Sequence, residues 1–184
     1  FIVIFFFTIN LSDYLKYRYV DLLFSKIKTK EEREKFLNDS FYLKLYKSGF
    51  YVFKNNPLFG VGNKNYRIET CGKNNLIYKE YYCLTHPHQV YIEMLSEHGI
   101  IGTIIILSII FYLTFRIIRK IIDSRNYIQI GCMIFLFINF IPILPSGSFF
   151  NNYNITLFMV NFSLMYAVGK ETNIFFQKKN DKNI

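Results

Sequence analysis

Three apolar runs, each about as long as a bilayer-spanning helix, constrain this chain more than any other feature. They cover residues 99–118, 127–144 and 149–168. A helix that crosses a membrane needs roughly 20 apolar residues. No Lys, Arg, Asp or Glu falls between Gly99 and Phe115, or between Tyr127 and Val168. Hydrophobic residues make up 52% of the chain and lie in blocks, a pattern a soluble core does not need. A further apolar stretch, residues 1–11, is too short to span and has no basic region before it, as a signal peptide would. It is expected to be a partial transmembrane helix, with the chain a fragment of a longer membrane protein. The expected fold is all-α: a polytopic integral membrane helical bundle with a large extracytoplasmic loop.

That loop is residues 12–98, which hold 14 basic and 10 acidic side chains. Leu22, Leu23, Lys26, Ile27 and Lys30 suggest one short amphipathic helix, with Glu31 to Lys35 as a solvated face. Phe41, Leu45, Phe50 and Phe53 suggest a second, stopped by Asn55-Asn56-Pro57. Residues 60–65 read as a glycine-rich turn. Pro87 suits a helix first turn, so a helix is expected to begin near it and run into the membrane. Outside the loop, the basic residues form two groups. Arg116, Arg119, Lys120 and Arg125 follow the first full span, and Lys170, Lys178, Lys179 and Lys182 lie in the tail. Three spans put both groups on one side, which the positive-inside rule makes the cytoplasm. Residues 119–126 are then a cytoplasmic loop, 145–148 a short outer turn and 169–184 a cytoplasmic tail. The net charge of +9 is not gathered on one soluble face, so a nucleic-acid partner is not expected.

His88 is the leading candidate for chemistry. It stands just outside an apolar run, and an imidazole can take and return a proton near neutral pH. His86-Pro87-His88, with Cys83 and His98, also spells a paper set of zinc ligands, although Pro87 hampers a shared helical face. The loop Pro57-Leu58-Phe59-Gly60-Val61-Gly62 lacks the GK[ST] of a Walker motif. Its glycines Gly60 and Gly62 serve either a tight packing turn or close approach to a substrate. Arg67 offers the planar fork that suits a diphosphate, or is an exposed cation. Glu97 orients a sugar hydroxyl or pairs with a Lys or Arg, or else it and Glu93, one turn before it, are routine polar residues at a helix end, with nothing to mark them as a glycosidase dyad. Asn151 and Asn152 either line an acceptor site or cap a helix. Cys71 and Cys83 pair or stay free, with both states open.

His88, Gln89, nine residues, Gly99, two residues and Gly102, preceded by the Pro57 to Gly62 segment, resemble the C-terminal half of the O-antigen ligase and polymerase family. The resemblance runs over about residues 41–168. It implies a bacterial membrane glycosyltransferase that moves a glycan from a polyprenyl diphosphate carrier to a glycan or lipid acceptor in lipopolysaccharide biosynthesis. It implies His88 as the catalytic histidine, with Arg67, Gly60, Gly62, Gln89 and Glu97 toward the diphosphate or glycan, and neither metal nor soluble cofactor. It further implies the bacterial inner membrane, with the active-site loop facing the periplasm and membrane lipids around the spans. One position departs from the family pattern. Where an arginine is usual, about fifteen residues before Pro57, this chain has Tyr42, with Lys44 nearby. Two rival readings stand beside it: a non-enzymatic transport or assembly subunit, and a metal-dependent membrane hydrolase built on Cys83, His86 and His88.

Overall fold

The computed structural model describes residues 29–72, 78–142 and 145–173. The partial helix expected at 1–11 and most of the first amphipathic helix lie outside these residues. Every regular element among the described residues is helical: α1 (Lys30–Asp39), α2 (Phe41–Asn55), α3 (Tyr66–Cys71), α4 (Val90–Ser124), α5 (Tyr127–Ile138) and α6 (Asn152–Ala167). The chain divides into two compact units, residues 1–44 and 45–184. In the first, α1 is a charged helix started by a capping box. Thr29 Oγ1 accepts from the Glu32 amide, and the Glu32 carboxylate accepts from the Thr29 amide.

The second unit is built around a broken helix. Helix α4 is interrupted at Gly99, whose φ of 63° and ψ of −172° are not helical. A break in mid-helix leaves carbonyls without donors before it and amides without acceptors after it. The loop 57–62 answers both. The Val61 and Gly62 amides donate to the Ser96 and Glu97 carbonyls at 3.0 and 2.8 Å. The Pro57 and Leu58 carbonyls accept from the Ile100 and Ile101 amides at 2.8 and 3.3 Å. Such exchange needs backbone against backbone. A Cβ on Gly60 would lie 2.4 Å from the Glu97 carbonyl carbon, and one on Gly99 2.3 Å from that of Leu58.

After the break, residues 100–124 run on for about 37 Å at 1.5 Å per residue, enough for a hydrocarbon core of about 30 Å. Helix α4 is the one helix among the described residues long and apolar enough to cross a membrane. Ile104, Ile105, Ile109, Tyr112 and Phe115 are exposed along it, unlike the side chains of a soluble core helix. The two later runs form shorter helices than the sequence suggests. Helix α5 ends at Ile138 rather than 144, and α6 starts at Asn152 rather than 149. Asn139 turns its amide onto the Phe135 carbonyl, and Asn151 caps α6. Phe140 and Phe149 leave the helical register to pack with Phe158 in one aromatic cluster.

The three helices alternate in direction. At one end the Ser146 amide donates to the His88 carbonyl, and Tyr91 Oη donates to the Phe140 carbonyl. At the other, Lys120 Nζ donates to the Glu171 carbonyl. Fully buried Gln129 there donates to the Met165 carbonyl and to Thr172 Oγ1. The basic residues of the last turns of α4 and Lys170, which follows α6, thus lie at the same end.

Helix α2 shows the expected length but a different face. It buries Leu45, Ser48, Gly49 and Val52, while Phe41 and Phe50 are exposed. Gly49 decides this: a Cβ there would meet Ile92 Cγ2 at 2.4 Å and Pro87 Cβ at 2.9 Å. Pro87 therefore packs on α2 instead of opening the helix, and Gln89 is the N-cap of α4.

Gly99→Ala or Gly60→Ala should cost about 3 kcal/mol or more, since each combines a left-handed φ with a backbone clash. Gly131→Ala, with nothing within 4 Å of its Cβ position, should be neutral or gain up to about 1 kcal/mol. Thermal denaturation of the purified variants in detergent checks the contrast; equal loss at all three positions would refute the account.

Candidate functional site

Two carboxylates on the arm of α4 that precedes Gly99 organise the surrounding loops. Glu93 and Glu97 lie one turn apart and are both about 1% exposed. Glu97 Oε2 accepts from the Lys64 amide at 2.9 Å, and the Tyr66 amide, which opens α3, also turns toward its carboxylate. Glu93 accepts from Ser148 Oγ and, at 2.8 Å, from the Phe149 amide. One helix face thus holds the loop before α3 and the turn before α6. Both residues precede the stretch able to cross a membrane. Burial pushes the Glu93 carboxyl up to about 7, against the opposing pull of its donors. Burial raises Glu97 too.

The loop around α3 has its own small core of Val52, Tyr66 and Tyr81. Ser48 Oγ accepts from Tyr66 Oη and from the Tyr82 amide, both at 2.9 Å. This tie joins α2, α3 and the segment leading to the histidines. Burial pushes the Tyr66 phenol up to about 12. A disulfide between Cys71 and Cys83 closes the same segment onto α3. It also removes the Cys83 thiolate from the paper set of metal ligands. Among the described residues no group of three or more His, Cys, Asp or Glu side chains is arranged to hold a metal ion.

These ties shape a cavity of about 420 Å³ lined by Lys64, Arg67, Thr85, His86, Ser148, Asn151 and Asn152. Its walls come from three segments distant in sequence. Lys64 Nζ donates to Asn152 Oδ1 at 3.0 Å across it, and Lys64 itself has a φ of 61°. The cavity offers two cations, Lys64 held to Asn152 and the exposed Arg67, with several amide and hydroxyl groups. That set suits an anionic, hydroxyl-rich ligand.

His86 lines the cavity, and His88 lies directly behind it, with ring centroids 4.0 Å apart. His88 adopts φ 56°, a left-handed conformation uncommon for a residue with a side chain. Its Nδ1 lies 3.2 Å from the Ser146 carbonyl, and its own carbonyl accepts from the Ser146 amide. A carbonyl only accepts, so in a neutral ring Nδ1 carries the hydrogen and Nε2 is the basic nitrogen. Burial, and then the neighbouring His88, push His86 down to about 4, so His86 is neutral at physiological pH.

The other expected site residues have structural engagements. Gln89 is buried and its side chain accepts from the Ile92 amide. The Gly60 amide donates to the Asn56 carbonyl and that of Gly62 to Glu97, so neither amide is turned to a ligand. Arg67 lines the cavity, and Asn151 both caps α6 and lines it. His98 packs edge-on against Phe150 and over Gly102, and it does not line the cavity. Sequence reasoning missed Lys64, because nothing in its spacing shows that Glu97 will hold its backbone.

A family description, O-Antigen ligase, matches residues 1–107. That span covers more than half of the chain, and the chain belongs to this family. Membership makes it an enzyme of ligase or transferase kind that serves surface polysaccharide synthesis at a membrane and works on lipid-linked glycans. No curated protein and no solved structure matches it.

Two outcomes follow from these contacts. A carboxyl raised by burial contributes stability fully below about pH 4.5 and loses it as pH climbs through about 7. Wild-type stability should therefore fall by about 3 kcal/mol relative to Glu93→Gln between pH 5 and 8. Taking the difference between the two proteins cancels the opposite trend of His86. Parallel pH profiles would show that Glu93 does not titrate there. Separately, Cys83→Ser should cost about 3 kcal/mol, as expected for a short closed loop, measured by melting with and without reductant. A reductant-insensitive wild type would argue that the bridge is not formed.

Proposed function

We propose that this chain carries the acceptor-activating and diphosphate-binding part of an O-antigen ligase or polymerase. The single observation that carries the reading is the cavity itself. It is a cationic, hydroxyl- and amide-lined pocket backed by a histidine pair, at the head of a helix able to cross a membrane. In the proposed reaction an acceptor hydroxyl oxygen bonds to the anomeric carbon of the donor glycan. The bond from that carbon to the diphosphate oxygen breaks, and the leaving group takes the electron pair. His88 Nε2 receives the hydroxyl proton from an acceptor that reaches past the His86 ring at the cavity wall. Arg67 and Lys64 face the charge that grows on the diphosphate, and cations placed there lower the barrier. Gly60, Gly62, Gln89 and Glu97 serve by holding these groups in place.

The orientation proposed is periplasmic for the cavity and cytoplasmic for the basic residues after α4 and α6. A disulfide beside the cavity supports it, since disulfides persist in oxidising compartments. So does the contact of Lys120 with the Glu171 carbonyl, next to Lys170, at the opposite end. The multi-pass arrangement, with α5 and α6 as further spans, belongs to the same proposal. Both helices are shorter than a straight crossing needs, and the residues that flank them in the chain would complete the depth.

His88→Ala should lower glycan transfer by about 100-fold or more, and Arg67→Ala should lower it with a smaller effect for Arg67→Lys. The assay is glycan attachment in cells that lack their own enzyme, with membrane levels of each variant matched. Wild-type transfer by a normally inserted His88→Ala protein would overturn the assignment. Loss of transfer on chelation would favour a metal-dependent hydrolase instead.

A further inference from the structure

We infer that Leu58 and Phe59 form a membrane anchor, seated in lipid at the boundary between headgroups and acyl chains. The inference rests on reading residues 100–124 as a membrane span. Leu58 is 55% and Phe59 72% exposed, although both stand in a loop whose backbone is pinned. The Pro57 and Leu58 carbonyls accept from the first two amides after the Gly99 break, and Val61 and Gly62 bind the carbonyls just before it. The pair is therefore held at the depth where the span begins. It adjoins the span's own exposed apolar side chains, Ile100, Ile101, Ile104 and Ile105. Lys54, Asn55 and Asn56 precede the pair, and Asn63 and Lys64 follow it.

A rigid loop that presents two large apolar side chains to water forgoes about 25 cal/mol for each Å² left wet. Lipid beside the span removes that cost without moving the backbone. The polar and cationic residues on either side match the headgroup region. Lipid is the occupant the placement favours, because the pair's backbone is bonded to the first residues of a helix whose exposed apolar side chains themselves need lipid. Seated this way, Leu58 and Phe59 set the depth of the whole glycine loop, and with it the height of Lys64 above the membrane.

The chain contains no Trp, so Phe59→Trp introduces a single indole emitter. The variant is reconstituted in phosphatidylcholine vesicles containing lipids brominated either near the headgroup or near the chain ends. A second variant, Ile109→Trp, places the emitter well inside the span and reports insertion. Emission from Phe59→Trp should be blue-shifted and quenched more strongly by the shallow bromines. Emission from Ile109→Trp should be quenched more strongly by the deep ones. If Ile109→Trp is quenched and Phe59→Trp is not, the anchor alone is overturned, whether the loop indole emits as in water or as in a protein interior. If Ile109→Trp is not quenched, the helix is not in the bilayer, and the membrane reading falls with the anchor.

Discussion

The interruption of α4 at Gly99 is the constraint on which the rest of this unit depends. A helix that stops and restarts within one element strands backbone groups on both sides of the gap. Here one short loop supplies donors to the first half and acceptors to the second. Only glycine fits at the closest approaches, where Gly60 and Gly99 face backbone at under 3 Å from any added Cβ. The two glycine-bearing motifs, some forty residues apart in the chain, are thus two sides of one joint. Neither makes structural sense without the other.

From this joint the site is assembled by buried acceptors. Glu93 and Glu97 each hold a turn of backbone whose amides have no helical partner. The cost of burying the carboxylates is offset by several donors, and it shows as their raised proton affinity. The same device brings Lys64 and Asn152 within hydrogen-bonding distance although 88 residues separate them. His88 is held twice by Ser146, through backbone and ring, which explains why a non-glycine residue keeps a left-handed φ there. Position and tautomer of the histidine therefore depend on the turn between α5 and α6.

The aromatic content finds its use in the same region. Phe140, Phe149 and Phe158 pack against one another below the turn that carries Ser146 and Ser148. Phe140 and Phe149 stand just beyond the end of α5 and just before the start of α6, so their packing lies in the turns that bound both helices. Helices shorter than the apolar runs that encode them follow from this. Part of each run is spent on packing the turn against α4 rather than on helix.

By itself the sequence determined the helical class, the helix able to cross a membrane, the stop of α2 at Asn55, and the family. Each is written in local composition or in short spacings: an uninterrupted apolar run, an Asn-Pro signal, a histidine and two glycines at fixed intervals. Arg67 could be singled out because an arginine close to a glycine loop is visible without a structure; that it shares a cavity wall with Lys64 and His86 was not. Tertiary structure decided what the sequence left open. It turned Gly60, Gly62 and Gln89 from ligand contacts into backbone joints and a cap, because their donors and acceptors are consumed within the fold. It buried Glu97 as an anchor and brought in Lys64, whose place depends on a carboxylate 33 residues away. It put His86 at the cavity wall and His88 behind it. Side-chain identity records what a group can do; which group meets a ligand depends on long-range contacts that leave no periodic trace in the chain.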